Sequence, residues 1–140
     1  ALEDVDIVCV NKYFGWYDRP GDLKGSREML SACLDRFRSR FGKPVLLAEF
    51  GADALPGMHA LPAEMFSEEY QAEILEAQIE VARSKSWVIG VHVWAFADFK
   101  VGQSVTRAIY NHKGVLTRDR QPKAGAFALR RLWLGANQRT

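Results

Sequence analysis

Three short apolar runs alternate with three amphipathic stretches along this chain, and that alternation limits the available folds more than any other feature. Val5 to Val10 (VDIVCV) is rich in β-branched residues and suits a buried strand. Asp22 to Phe41 then brings Met29, Leu30, Cys33, Leu34, Phe37 and Phe41 onto one helical stripe, with Gly42 as the stop. Pro44 to Glu49 (PVLLAE) reads as a second strand, proline being tolerated at the first residue. Ser67, followed by Glu68 and Glu69, opens a second helix, because a serine cap and early acids satisfy the exposed N–H groups of the first turn. Its stripe is Tyr70, Ile74, Ala77, Val81 and Ala82. Trp87 to Trp94 (WVIGVHVW) is the third strand. The last helix begins near Pro122 and carries Phe127, Leu132 and Trp133.

Strands separated by helices of this size pair in parallel through right-handed crossovers. The helix-to-strand turns are short. The loops that follow the strands are long: Asn11 to about Gly21, Phe50 to about Phe66, and about Ala95 to Pro122. Parallel α/β sheets and barrels build their sites from such loops, at the carboxyl ends of the strands. The chain has 140 residues, too few for a complete (β/α)8 barrel, which takes about 200 or more. A free-standing three-stranded parallel sheet would leave its edges unpaired. The expected fold is therefore α/β, a partial (β/α)8 TIM barrel of three consecutive βα units.

Composition removes several function classes. Hydrophobic residues at 48% and charged residues at 26% are globular proportions, which argues against a disordered chain. A net charge of +2 is too small to imply a nucleic-acid partner. No apolar run nears the roughly 18 residues of a membrane span, so no membrane partner is expected. Cys9 and Cys33 are expected as buried thiols in a reducing compartment. His59, His92 and His112 lack metal-ligand spacing, and His92, inside a strand, is expected in the core. The basic residues from Arg118 to Arg131 are expected as a solvated face. The chain opens at Ala1 and runs at once into strand-like sequence, which reads as the interior of a longer protein.

Glu49 is the residue most out of place chemically. A carboxylate ending an apolar strand costs free energy unless it is paired or used. Asn11, Tyr13, Trp16 and Tyr17 crowd the loop after the first strand, and aromatic faces with amide and hydroxyl donors suit sugars; loop packing explains the cluster equally well. Trp94 could floor a pocket or simply be buried. Asp98 reads as a cap or ion-pair partner. Asn111 and Lys113, if extended, share one face and would suit a ligand carboxylate, with Arg107 nearby; a solvated charged loop is the alternative.

Taken together, NKYFGWY (Asn11 to Tyr17), LAEFG (Leu47 to Gly51), SEEYQ (Ser67 to Gln71), VWAFADF (Val93 to Phe99), NHKG (Asn111 to Gly114) and TRDRQPK (Thr117 to Lys123) resemble the β-glucuronidases of glycoside hydrolase family 2. The motifs occur in family order across nearly the whole chain. The resemblance implies strands six to eight of the catalytic barrel, so that residues 1–140 are a C-terminal part of that domain. It implies Glu49 as the nucleophile of a retaining glycosidase. It also implies Asn11, Tyr13 and Tyr17 beside the sugar, Trp94 packed against it, and Arg107, Asn111 and Lys113 at the uronate carboxylate. No metal or organic cofactor is implied. Three departures stand out: Phe50 where Tyr is common, His112 where Lys is common, and Ala108, Ile109 and Tyr110 in place of a Gly-rich step.

The family's acid/base is a Glu directly after an Asn, and this chain has no Asn-Glu pair. The isolated polypeptide is therefore expected to be inactive. Its partners would be a β-glucuronide and the missing N-terminal part of a homo-oligomeric parent. A cytoplasmic bacterial setting is preferred, with a lysosomal one kept open. The alternatives are a non-catalytic sugar- or partner-binding fragment, and a β-galacturonidase or β-galactosidase of the same family.

Overall fold

The computed structural model describes residues 2–107 and 109–136. The element order is β1 (Val8–Asn11), α1 (Leu23–Phe41), β2 (Val45–Phe50), α2 (Glu68–Arg83), β3 (Val88–Val93), β4 (Phe99–Lys100), β5 (Tyr110–Asn111) and α3 (Ala124–Ala136). The strands β1, β2 and β3 form one sheet in that order, parallel throughout, as the alternation requires. The chain divides into two compact units. One holds everything up to Phe50 together with Ala77–Val93; the other holds Gly51–Glu76 and the chain from Trp94 onward.

In the first unit, the Asp22 side chain caps α1 by accepting from Gly25 N at 2.7 Å. Gly42 closes it in the left-handed region at φ 65°, donating to Arg38 O. Leu30, Cys33 and Leu34 are the buried part of the stripe. Along β1, Val8 and Val10 are buried while Cys9 and Asn11 are exposed, the period-two alternation of a strand with two different faces. Cys9 is thus exposed, contrary to expectation, and only Cys33 is buried. His92 is exposed on β3 and does not lie in the core.

The first strand begins at Val8, three positions later than the apolar run. Val8 pairs with Val45, the first residue of β2, so nothing earlier has a strand partner. Val5 and Ile7 stay exposed. The pairing also slips once. Val10 faces Leu47, but Asn11 faces Glu49, so an irregularity between them aligns the two strand ends.

In the second unit, Ser67 caps α2, its Oγ accepting from Tyr70 N at 3.1 Å. The third loop contains an antiparallel ladder, β4 with β5, where the sequence reads as irregular chain. Two-residue strands are too short to carry a periodicity signal. Helix α3 buries Gly125, Ala128 and Leu129, whereas Phe127 and Trp133 are exposed. Of the large apolar residues that the sequence places on this helix, Leu132 is half-buried and Phe127 and Trp133 lie outside the unit's core. Among the described residues no helix is long and apolar enough to cross a membrane.

Candidate active site

The first unit carries the carboxylate. Glu49 lies one residue before the end of β2, and the slip in register sets Asn11 opposite it. The Tyr13 hydroxyl donates to Glu49 Oε2 at 2.8 Å, and Lys12 N donates to Glu49 O at 2.9 Å. The Tyr13 loop is a tight turn in which both Trp16 N and Tyr17 N donate to Tyr13 O. Trp16 is buried and anchors the turn. Tyr17 is exposed and sets its ring edge-on to Tyr13 at 5.3 Å. Gln78, fully buried on α2, donates to Phe14 O at 2.7 Å and pins the same loop. The structure thus brings Asn11 and Tyr13 to Glu49, with Tyr17 touching Tyr13.

Phe50 is fully buried. A hydroxyl at that position would have to find a buried partner.

The second unit carries the cations. Lys113 is 1% exposed and Asn111 5% exposed, so neither belongs to a solvated loop. Lys113 N donates to Asn111 Oδ1 at 3.0 Å, which fixes the amide against the backbone. The Lys113 ammonium donates to Asp53 Oδ2 at 2.6 Å, and Arg107 Nη1 lies 3.5 Å from Asp53 Oδ1. Asp53 also accepts His112 N at 2.8 Å. Sequence reasoning missed Asp53, which sits in a Gly- and Pro-containing stretch where one acid attracts no notice. The available signal was its position four residues after a strand-end glutamate, in a loop expected to carry function.

His112 turns to a different acid, its Nδ1 3.2 Å from Asp98 Oδ2. Asp98 is an ion-pair partner, as expected from the sequence. It receives Lys123 Nζ at 3.0 Å, and the same ammonium donates to Ala54 O and His112 O at 2.9 Å each. Lys123 is 1% exposed, so the basic stretch from Arg118 to Arg131 is not uniformly a solvated face. Burial pushes its pKa down, while Asp98 pulls it back up.

Trp94 is half-buried and meets Phe99 edge-to-face at 6.0 Å. Ala95 N donates to Lys113 O at 2.8 Å and Val115 N donates to Ala95 O at 2.9 Å, a backbone clasp on either side of Gly114. A Cβ at Gly114 would collide with the backbone of Ala97 and Asp98. Gly51 has φ 148°, and a Cβ there would meet Trp94 O at 2.5 Å. Those close approaches are why the LAEFG and NHKG segments end in glycine. Of the replaced Gly-rich step, Ala108 lies outside the described residues. Ile109 adopts φ 68°, a conformation glycine takes freely and a β-branched residue takes at about 1–2 kcal/mol.

The family description "Glycosyl hydrolases family 2, TIM barrel domain" matches residues 1–137. This chain belongs to glycoside hydrolase family 2. Its parallel sheet with alternating helices is accordingly part of a TIM barrel. A beta-glucuronidase of Paenibacillus borealis is 48% identical over 128 residues, covering 91% of this chain and 22% of that protein. The beta-glucuronidase of Mus musculus is 45% identical over 137 residues, 96% of this chain and 21% of that protein. The solved beta-D-glucuronidase of Dictyoglomus thermophilum matches with a TM-score of 0.92 at 44% identity, over 94% of this chain and 23% of the other. This family 2 chain therefore spans less than a quarter of the length of each of these relatives.

Proposed function

We propose that this chain is a C-terminal part of the catalytic barrel of a retaining β-glucuronidase, with Glu49 as its nucleophile. The observation that carries the reading is the Tyr13 to Glu49 hydrogen bond at the carboxyl end of β2. It supports an oriented carboxylate at the end of a barrel strand, the place where such barrels put catalytic groups. The similarity to proteins named beta-glucuronidase supplies the substrate class.

In this mechanism Glu49 attacks the anomeric carbon of a β-D-glucuronide, and the glycosidic C–O bond breaks as the ester bond to Glu49 forms. A second carboxylic acid protonates the departing oxygen. The same group, now a carboxylate, takes a proton from the water that hydrolyses the ester. Asn11 and Tyr13 hold the sugar beside Glu49, and Tyr17 and Trp94 offer aromatic faces to it. Lys113, Asn111 and Arg107 receive the uronate carboxylate, a role suited to charge-assisted hydrogen bonds. No Asn-Glu pair occurs in the chain, so the acid/base is supplied from outside residues 1–140.

The test compares three proteins on a chromogenic β-D-glucuronide: the longer protein carrying this chain, its Glu49→Gln variant, and residues 1–140 alone. The longer protein is expected to turn over. The variant should lose at least about 10⁴-fold, as nucleophile removal does elsewhere, and the isolated chain should show no enzyme-like rate. Full activity in Glu49→Gln would end the reading.

A further inference from the structure

We infer that Asp53 is a positioning residue: it fixes the Lys113 ammonium so that selection for a carboxylate-bearing sugar depends on Asp53 as well as on Lys113. This rests on the proposed reading that Lys113 and Asn111 receive the uronate.

Asp53 is 7% exposed, and every contact described for its carboxylate points toward the Arg107 to Lys113 segment. Oδ2 takes the Lys113 ammonium at 2.6 Å; Oδ1 accepts His112 N at 2.8 Å and lies 3.5 Å from Arg107 Nη1. The carboxylate is itself held. Its chain neighbour Ala54 donates to His112 O at 3.0 Å, so a backbone bond and a side-chain bond join the same two segments. A lysine has a flexible four-carbon stem, and fixing it costs more conformational entropy than fixing most side chains. An ammonium at 1% exposure is also costly without a counter-charge. Asp53 answers both demands: it compensates the charge and selects one position for it. Because a backbone N–H anchors Asp53, it cannot swing aside when a ligand carboxylate arrives. It acts as a permanent support, not as a stand-in for the ligand.

Asp53→Asn keeps the shape and the acceptor for His112 N and removes the charge. Asp53→Glu keeps the charge and moves it by one methylene. In the longer protein carrying this chain, kcat and KM are measured on p-nitrophenyl β-D-glucuronide and on the matching neutral β-D-glucoside. Asp53→Asn is expected to lower the glucuronide-to-glucoside ratio of kcat/KM by roughly 10- to 100-fold, the scale of one charge-assisted contact. The loss should appear mainly in KM, with the glucoside values unchanged. In a Lys113→Ala background the same substitution should have no further effect on the ratio, and Asp53→Glu should fall between Asp53→Asn and the parent. An unchanged ratio, an equal loss on both substrates, or full additivity with Lys113→Ala overturns the inference. If Asp53→Asn does not fold, the ratio in Asp53→Glu decides it alone. A parent with no preference for the glucuronide overturns the proposed function, and this inference with it. A preference left undiminished by Asp53→Asn overturns this inference only.

Discussion

Tyr13 reaches Glu49 across 36 positions of sequence, and the 2.8 Å bond between them presents the carboxylate in one orientation. Glu49 was legible because an acid ending an apolar strand is chemically out of place. Tyr13 was legible only as one of several aromatics in a loop. Asp53 was not, since its importance comes from what folds onto it and not from its neighbours in sequence. A simpler pair at the surface gives a direct test at this scale. His59 Nδ1 lies 2.7 Å from Glu69 Oε1, and Glu69 Oε2 accepts Ala60 N at 3.1 Å. The hydrogen bond and charge of Glu69 raise the His59 pKa above its ordinary value, and His59 lowers that of Glu69. A raised histidine contributes stability that is complete below about pH 6.5 and is lost as pH rises through its folded value. A depressed carboxylate contributes above its ordinary value and loses it as pH falls through the depressed one. The pair is therefore worth most between those limits. Followed by NMR, the His59 ring should titrate above the ordinary histidine value, and Glu69→Gln should bring it down. An identical titration in both proteins would contradict the pairing.

At the scale of elements, α2 does more than its apolar stripe announces. Gln78 pins Phe14 O in the first unit. In the second unit, Gln71 donates to Ala52 O at 2.9 Å and to Gly114 O at 3.2 Å. Both glutamines are fully buried, and each donates to backbone carbonyls of the loops that carry the candidate site residues. Strand and helix positions were readable from period and caps, to within a few residues. The β4–β5 ladder was not, because its two-residue strands are too short to carry a period. Neither was the burial of Lys123, since a lysine in a basic stretch ordinarily faces water. Its ammonium donates to Asp98 and to the carbonyls of Ala54 and His112. Lys123→Met would take the ammonium from all three acceptors, leaving His112 O with Ala54 N and the buried Asp98 carboxylate with the His112 ring. The expected cost is about 3–5 kcal/mol, read by chemical denaturation of the longer protein. A loss below about 1 kcal/mol would show that the three acceptors find other partners.

For the whole molecule, the count of βα units and the identity of the loops were enough to expect part of a barrel, and family membership agrees with that expectation. What the count could not supply is the second carboxylate. A family 2 hydrolase that retains configuration needs two, and the chain spans 22% and 21% of the length of the two relatives described. The central claim is therefore about Glu49: that it becomes covalently bonded to the sugar. An activated 2-deoxy-2-fluoro-β-D-glucuronide forms the glycosyl ester readily but slows its hydrolysis, because fluorine destabilises the oxocarbenium-like transition state. The longer protein would be treated with this reagent, digested, and its peptides weighed. The account predicts one added fluoroglucuronosyl group, on the peptide containing Glu49, with loss of activity in step with labelling. A label on another carboxylate, or continued hydrolysis of β-glucuronides by a protein that takes up no label, would contradict it.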